Sequence, residues 1–377
     1  MPDIDQWEKL KRLGEGGQGQ VFLVRTPSRI QARNQAKERI RPSIGNLDGY
    51  EGAPSDFFVQ QLLEAIAEYI RPDSPDELGA LKQFKIADDD KDREAEAVGR
   101  LKAEIKVLET LRHPAVLRLL HSNVDERFLV TEFHPGGTLD KHLASYKGKP
   151  LAALAAFKPL VEALVPIHFQ HGVIHRDIKT ENIFVATDGR LVLGDFGVVF
   201  FVGGQRLTTT YEKVGTSFWM APWAYKNDRL AIEDVTPSLD IFPLAKVLWS
   251  MISGRNGFAY WELDRDENNL EKMFPGNPIL PEVNRLLSRC IVREASDCTL
   301  VAPTLLQEVN RLIELARSTA ERPEGADSWP CRVCGRGRYS DTRHLMSACI
   351  SNSGDQMSFR VYVCDRCGHA EVFGPHR

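Results

Sequence analysis

The chain has 377 residues, of which 42% are hydrophobic and 27% charged, and its formal net charge is −4 at pH 7. The length predicts two or three domains, and the small net charge gives no global electrostatic reason to bind nucleic acid or a membrane. No apolar run approaches the roughly 20 residues that a bilayer span needs, and the acidic N-terminus does not look like a secretory signal. Five of the seven cysteines lie in the last 50 or so residues. We therefore expect a cytoplasmic protein with a metal site in its tail.

A glycine-rich segment comes first. Residues 13–24 read Leu-Gly-Glu-Gly-Gly-Gln-Gly-Gln-Val-Phe-Leu-Val, which predicts a strand, a glycine turn and a second strand. Glycines let backbone amides approach phosphate groups without an intervening side chain. Taken alone, the pattern also fits a hairpin with a glycine-rich turn and no ligand.

About fifty residues, from 27 to 78, separate this hairpin from the next predicted strand. The first part is rich in Arg, Gly and Pro and predicts a loop. An apolar face then begins after Ser55-Asp56 and predicts one helix that ends at Arg71-Pro72. We interpret the segment as an insertion that packs on the neighbouring domain. A regulatory or partner-docking element is the alternative that the sequence leaves open.

The next elements follow from hydrophobic periodicity. Residues 94–111 predict a helix whose buried stripe is Ala97, Leu101, Ile105 and Leu108. Val116–Leu120 and Arg127–Phe133 predict two strands. Leu151–Gln170 predicts a helix that Pro166 should bend or break.

Two short runs carry the chemistry. Residues 175–182 read His-Arg-Asp-Ile-Lys-Thr-Glu-Asn, and residues 195–197 read Asp-Phe-Gly. The apolar residues between them, divided by Asp188-Gly189, predict a hairpin that brings the two runs together. Asp177, Asn182 and Asp195 would then converge as a potential base and two metal ligands, as transfer of a phosphoryl group from magnesium-ATP requires.

These runs, in this order, resemble the catalytic and metal-binding loops of eukaryotic-type Ser/Thr protein kinases. The resemblance covers roughly residues 7–27 and 78–318. It implies an α+β, bilobal fold, with an N-lobe over 1–133 that contains the insertion and a C-lobe over 134–318. It also implies ATP and magnesium as cofactors and a protein hydroxyl as substrate. We expect the chain to phosphorylate itself as well.

The resemblance assigns roles to individual residues. Asp177 would orient the substrate hydroxyl and accept its proton, and Lys179 would neutralise charge on the transferring phosphoryl group. Lys82, preferred over Lys85 because Ala80 precedes it, would reach the phosphates and pair with Glu104. Asn182 and Asp195 would hold magnesium. The remaining ATP-binding positions are Gly14, Gly16, Gly19, Val21, Ala80, Thr131, Glu132 and Phe133.

The segment after Asp195 is similar to a kinase activation loop and substrate-binding loop. Thr208, Thr209 and Thr210 are phosphosite candidates, and Thr216 would bond Asp177 and Lys179. Kinases place Ala-Pro-Glu where this chain has Ala221-Pro222-Trp223, and Cys298 replaces the Arg that pairs with that Glu. Because both halves of the pair are missing, we expect Trp223 to pack by apolar contact instead.

Two more features of the large lobe follow from the resemblance and from residue type. Asp240 should bind the backbone near His175. Pro243 should fall in the first turn of the central helix, where proline is tolerated.

The tail, after a polar linker over 319–330, holds two C-x-x-C pairs: Cys331 with Cys334, and Cys364 with Cys367. Four thiolates in this pattern predict tetrahedral zinc, and residues 331–377 resemble a zinc ribbon. A redox dithiol is the alternative. Zinc ribbons bind protein or nucleic acid, and seven Arg against four acidic residues, about +3, permit a nucleic acid. Structural docking on the kinase is the alternative that the sequence leaves open.

Two other functions stay open at this point. A pseudokinase-like scaffold could act through the insertion and the ribbon, although the complete set of catalytic residues argues against it. A small-molecule kinase is disfavoured by the segment 215–222, which is typical of kinases that bind peptides.

Overall fold

The computed structural model describes residues 4–16, 19–27, 30, 78–84, 91–202, 218–224, 235–263, 265–320, 328–330, 338–349, 356–364 and 370–373. The insertion, the candidate phosphosites Thr208, Thr209 and Thr210, and Thr216 lie outside these residues. The chain divides into two compact units, Met1–Ile313 and Glu314–Arg377.

The first unit begins with an antiparallel sheet of five strands in the order β1-β2-β3-β5-β4. Its elements are β1 (Glu8–Gly16), β2 (Gly19–Arg25), β3 (Leu78–Phe84), α1 (Lys91–Thr110), β4 (Leu119–Asn123) and β5 (Phe128–Glu132). The first three strands are successive neighbours, so the insertion joins two adjacent strands of one sheet.

Alternation along β3 separates the two faces of this sheet. Leu81 is buried in one cluster with Trp7, Val24, Phe128 and Val130. Phe84, on the opposite face, is buried with Leu101 and Ile105 of helix α1. Lys82 shares this second face because it lies two residues before Phe84, and the strand thereby directs its side chain toward α1.

The predicted strand Val116–Leu120 is displaced in the structure, where β4 begins at Leu119. The reason is a competing partner. The Leu117 amide donates to the Leu193 carbonyl at 2.9 Å, and the Leu193 amide donates to the Ala115 carbonyl at 2.8 Å. Ala115 and Leu117 are therefore hydrogen-bonded to Leu193, far along the chain, and do not extend β4.

The remainder of the first unit is mainly helical. Its elements are α2 (Leu143–Tyr146), α3 (Pro150–Phe169), β6 (Val173–Ile174), β7 (Ile183–Val185), β8 (Leu191–Leu193), β9 (Phe200–Phe201), α4 (Ser238–Ser253), α5 (Leu270–Met273), α6 (Leu280–Cys290) and α7 (Ala302–Ala320). Strands β7 and β8 form the predicted hairpin. The sheet region followed by a helical lobe confirms the predicted α+β class.

Helix α3 corrects two expectations. It does not break at Pro166: the helix continues to Phe169, and the amides of Gln170 and His171 both donate to the Pro166 carbonyl. A proline in the last turn removes only one helical bond, and the buried Leu164 and Ile167 hold this turn in the core. The helix is also long and apolar enough to cross a membrane by length and composition alone, contrary to the sequence expectation, but its buried face belongs to the protein core.

Helix α4 is the centre of the helical lobe, and every residue from Ser238 to Ser253 is buried. We predicted Pro243 in the first turn of this helix, and that prediction is wrong. The helix begins at Ser238, so Pro243 lies in its second turn. The proline lacks an N–H group, so the Leu239 carbonyl receives no helical bond from it. Burial on all sides holds the helix together across this missing bond.

Trp223 is buried and its ring meets that of Phe242 on α4 edge to face, with centroids 5.6 Å apart. This confirms the expected apolar packing at the position where kinases have Glu. Among the described residues, the Trp223 Nε1 has no hydrogen-bond partner, so the side chain is held by packing. Cys298 is half-buried, and its thiol faces the Leu300 carbonyl at 3.8 Å.

The second unit contains an antiparallel sheet in the order β10-β11-β12-β13. Its strands are β10 (Ser328–Pro330), β11 (Arg338–Cys349), β12 (Gln356–Cys364) and β13 (Ala370–Phe373). Tyr362 and Cys364 are buried. Of the four predicted zinc ligands only Cys364 is described; Cys331, Cys334 and Cys367 lie outside the described residues.

The packing of Trp223 predicts an asymmetric response to substitution. Trp223→Glu, which restores the residue found in kinases, should lower the free energy of unfolding by about 3–5 kcal/mol because it buries a carboxylate without a cation. Trp223→Phe, which keeps an aromatic contact with Phe242, should cost only about 1–2 kcal/mol. Thermal unfolding of both variants measures the difference, and equal losses would contradict the packing argument.

Candidate active site

Lys82 is the point at which three segments of the chain meet. Its Nζ lies 2.9 Å from Glu104 Oε2 on α1 and 3.0 Å from Asp195 Oδ1. Burial by itself would lower the pKa of Lys82, but the negative charges of Asp195 and Glu104 raise it well above its ordinary value. Lys82 is therefore a permanent cation at neutral pH.

The two carboxylates around Lys82 differ in environment. Burial raises the pKa of Glu104, and the charge of Asp195 adds to this, while Lys82 opposes both effects. The charge of Lys82 lowers the pKa of Asp195 despite its burial. One ammonium thus faces two carboxylates, and this negative excess is suited to a further cation.

Asp177 lies in a short network of the catalytic run. Lys179 Nζ donates to Asp177 Oδ2 at 2.7 Å. The Asn182 Nδ2 donates to the same Oδ2 and to the Asp177 carbonyl, both at 2.8 Å. Because the amide nitrogen of Asn182 is directed at Asp177, its amide oxygen is left to face a cation.

The turn that contains Asp195-Phe196-Gly197, here called the metal-binding turn, is hydrogen-bonded directly to residues 175–182, here called the catalytic run. The Gly194 amide donates to the Asn182 carbonyl at 2.9 Å, and His175 Nε2 donates to the Gly194 carbonyl at 3.0 Å. The buried Phe196 ring packs on His175 with centroids 4.6 Å apart. These contacts fix Asp195, whose φ of 58° is unusual for a residue with a side chain.

Asp240 holds the catalytic run from below, which confirms the expected contact with the backbone near His175. Its carboxylate accepts the amides of His175 and Arg176, both at 2.8 Å, and Nε2 of His168 at 2.9 Å. Burial alone would raise the pKa of Asp240, but the hydrogen bond and charge of His168 and the charge of His175 lower it. The carboxylate therefore stays ionised as a buried acceptor, and it supports Arg176 at a φ of 70°.

The sheet places the predicted nucleotide-binding residues on one face. Val21 is paired with Lys82, and Ala80 with Thr131. Directly paired residues of antiparallel strands share a face, and Ala80 and Lys82 are two apart on β3. Val21, Ala80, Thr131 and Lys82 therefore line the same surface.

The glycine turn ends where β2 approaches β3 closely. Gly16 pairs with Gly19 at the end of the β1–β2 hairpin, to which Gly14 also belongs. A Cβ atom at Gly19 would lie 2.1 Å from the Gln83 carbonyl oxygen, so a side chain here would clash with the backbone of β3. Glycine at position 19 is thus required by packing as well as suited to a phosphate.

The end of β5 carries the other two predicted positions, Glu132 and Phe133. The Glu132 carboxylate accepts the Arg118 amide at 3.1 Å and lies 3.4 Å from His134 Nε2. Its side chain is therefore engaged with neighbouring residues, and its backbone amide donates to the Arg118 carbonyl at 3.0 Å. Of the sequence-predicted site residues, the structure joins Lys82 to Glu104 and Asp195 by hydrogen bonds. It joins Asp177 to Lys179 and Asn182 in a second network.

Several functional contacts were not foreseen from the sequence. These are the Lys82–Asp195 pair, the His168–Asp240 bond, and a network in which Thr180 Oγ1 donates to Asn256 Oδ1 at 2.6 Å. No local pattern indicates such contacts because their partners are 72 or more residues apart.

Asn182 and Asp195 could hold magnesium, since both offer the hard oxygen atoms that it prefers. Among the described residues, no group of three or more His, Cys, Asp or Glu is arranged to hold a metal by itself. The donor set fits magnesium bound to ATP.

A sequence model of the protein kinase domain matches residues 70–319. Its match begins after the glycine turn, but the structure joins β1 and β2 to β3 in one sheet. The hairpin over residues 8–25 is therefore part of the same lobe as the matched residues.

Curated relatives are also similar to this chain. The serine/threonine-protein kinase PknL of Mycobacterium tuberculosis is 28% identical over 210 residues, which cover 52% of this chain and 50% of PknL. The kinase PAK mbt of Drosophila melanogaster is 28% identical over 234 residues, 58% of this chain and 36% of its own. The kinase cds1 of Schizosaccharomyces pombe is 33% identical over 177 residues, which cover 44% of this chain and 36% of cds1. The chain spans at most about half the length of these relatives.

The buried pair of Lys82 and Glu104 should show strong coupling. Lys82→Met and Glu104→Gln should each destabilise the fold, whereas the double variant should lose about 1–2 kcal/mol less than the sum of the two. Urea unfolding of the four proteins measures this difference. The exposed pair Lys158 and Glu162, 3.5 Å apart on α3, is the matched control and should couple by less than about 0.5 kcal/mol. Equal coupling in both pairs would contradict the argument.

Proposed function

Because this chain belongs to the protein kinase family, we propose that it is an ATP-dependent protein kinase that phosphorylates serine or threonine hydroxyls of protein substrates. The observation that carries the proposal is the bridge from Lys82 to both Glu104 and Asp195. In kinases the Lys–Glu ion pair and the Asp of the metal-binding turn must both be in place for transfer. Here one ammonium joins them.

Magnesium-ATP, when bound, supplies the phosphoryl group that is transferred. Lys82 holds the phosphates, and Glu104 fixes the position of its ammonium. Asn182 and Asp195 offer their oxygens to magnesium. Catalysis by this fold is mainly positioning and electrostatic stabilisation, and the bond of Asp195 to Lys82 and the bonds within residues 175–182 supply that positioning.

Asp177 orients the substrate hydroxyl and accepts its proton. Lys179, 2.7 Å from Asp177, neutralises charge that develops on the transferring phosphoryl group. Lys179 lies two residues after Asp177, a spacing that favours serine and threonine over tyrosine by resemblance to Ser/Thr kinases. Relatives named as serine/threonine kinases support the same specificity.

A pseudokinase-like scaffold is the alternative function. It would predict that at least one group of the cleft is missing or held apart from the others. Instead all five catalytic residues are present: Lys82 donates to Glu104 at 2.9 Å and to Asp195 at 3.0 Å, and Asn182 donates to Asp177 at 2.8 Å. The geometry therefore favours catalysis.

We also propose that the second unit binds zinc. Pro330 pairs with Arg338, Tyr339 with Cys364, and Val363 with Ala370. These pairs all lie at the same end of the strands, from which the segments 331–337 and 365–369 continue the chain. Support for the site comes from this shared strand end together with the two C-x-x-C pairs, because four thiolates bind zinc when they are brought together.

The catalytic role of Asp177 is tested by intact mass after incubation with magnesium-ATP. The wild-type chain should gain phosphate, and peptide mapping should find it within Thr208, Thr209 and Thr210. Asp177→Asn should lower the rate by about a hundredfold or more because the general base is lost. Asp188→Asn, which changes an exposed carboxylate in the β7–β8 turn, is the matched control and should behave as wild type.

The outcomes of that experiment are distinct. Equal phosphate gain in Asp177→Asn and wild type would contradict the role of Asp177. A wild-type chain that binds ATP, gains no phosphate and phosphorylates no protein would favour the scaffold.

Zinc is tested by metal analysis of the purified full chain. We expect about one zinc ion per chain, lost on Cys331→Ser and retained on Cys349→Ser, since Cys349 belongs to neither pair. Removal of zinc by a chelator should unfold residues 331–377, because a domain of this size buries little core without a metal. Full zinc occupancy in Cys331→Ser would contradict the proposed ligand set.

A further inference from the structure

Lys246 is a lysine in the middle of the buried helix α4, and its side chain has no exposed surface. Among the residues that the structure describes, no carboxylate lies within ion-pair distance of its Nζ. A buried lysine without an acidic partner is rare. An apolar side chain would fill this volume at lower cost, so the amine must have a specific role to offset its burial.

The Lys246 Nζ donates a hydrogen bond to the Phe218 carbonyl. Four aromatic rings surround it. The distances from Nζ to the ring centroids are 4.7 Å for Phe218, 5.5 Å for Trp219, 5.7 Å for Phe242 and 5.5 Å for Phe258. These distances lie within the range of cation–π attraction.

The protonation of Lys246 does not remove this contact. Burial lowers the pKa of Lys246 to about 7, so the amine and the ammonium are both populated at neutral pH. Both forms carry N–H groups and donate to a carbonyl oxygen. The bond to Phe218 therefore persists in either form.

The segment that receives this bond is attached to α4 at both ends. Phe218 is held by Lys246 at one end, and Trp223 packs on Phe242 at the other. The Phe218 ring also lies against the loop after α4, since a Cβ at Gly257 would be 2.4 Å from its Cε1 atom. Even so, 38% of Phe218 remains exposed, so the held segment presents an apolar surface to solvent.

We propose that Lys246 is a positioning residue that fixes the segment Phe218–Ala224 on α4 in the conformation that receives the peptide substrate. The inference rests on the proposed kinase function, because residues 214–222 bind substrate only by resemblance to kinases. It adds a residue that touches neither ATP nor the reacting atoms. Its expected effect is on peptide binding, with ATP binding unchanged.

The variant that tests this is Lys246→Met, which keeps the length and volume of the side chain and removes the donor. Peptide KM should rise roughly tenfold, as expected when a hydrogen bond that positions the segment is lost. The KM for ATP should stay unchanged. Thermal stability should be kept or increased because a poorly solvated amine is replaced by an apolar group.

Hydrogen exchange of the full chain gives a readout that does not depend on activity. Peptides that cover Phe218–Ala224 should exchange faster in Lys246→Met, with α4 and the catalytic run unchanged. Val247→Ala is the matched control: it removes packing from the next buried residue of α4 and should lower stability while leaving both peptide KM and local exchange unchanged.

The remaining outcomes each decide the matter. Unchanged peptide KM in an active Lys246→Met chain, or unchanged exchange of Phe218–Ala224, would overturn the positioning role. Global unfolding of Lys246→Met would also overturn it, since that result would show a purely structural role. A wild-type chain that phosphorylates no peptide would overturn the proposed function and the substrate role with it, while the exchange measurement still decides whether Lys246 holds the segment.

Discussion

One ammonium group determines how the parts of the active site are assembled. Glu104 is almost fully buried, and a buried carboxylate is stable only beside a cation or several donors. Lys82 is that cation, and it also contacts Asp195 at 3.0 Å. Strand β3, helix α1 and the metal-binding turn are therefore held to one another by a single side chain. The position of α1 is set by electrostatics at this point and by the apolar contacts of Leu101 and Ile105 around it.

A second buried charge fixes the catalytic run by another route. The Asp240 carboxylate accepts hydrogen bonds from two backbone amides and from His168. These bonds hold Arg176 at a positive φ, a conformation that persists only when its surroundings determine it. The hydrogen bonds from Gly194 to Asn182 and from His175 to Gly194 then fix the position of Asp195, the next residue in the chain. Asn182 and Asp195 are consequently held by the hydrogen bonds of the protein itself, and such preorganisation is the condition for electrostatic catalysis.

Local patterns predicted those parts of the molecule whose structure depends on neighbours in sequence. The β7–β8 hairpin follows from a turn between two apolar runs, and the pairing of Lys82 with Glu104 follows from resemblance to a family motif. The start of β4 could not be predicted, because Leu117 is taken by Leu193 from another part of the chain. The prolines at 166 and 243 show the same limit. A proline removes one helical bond, and the burial of its neighbours in the helix outweighs that cost in a way that the sequence does not display.

Lys246 could not be recognised from sequence either, since a lysine in a helix usually faces solvent. Its burial follows from the aromatic rings that Phe218, Trp219, Phe242 and Phe258 bring together from three separate segments.

The absence of a Glu–Arg pair at positions 223 and 298 and the presence of a buried amine at position 246 have one physical explanation. Replacing a buried ion pair with packed apolar groups is often neutral for stability, because desolvation of the two charges consumes most of their attraction. Packing, however, is less directional than a hydrogen bond, so Trp223 on Phe242 holds the segment without fixing the conformation of its backbone. A donor directed at the Phe218 carbonyl supplies that direction. The chain thus separates the two tasks of the usual ion pair: aromatic contact with α4 provides attachment, and the amine of Lys246 provides orientation.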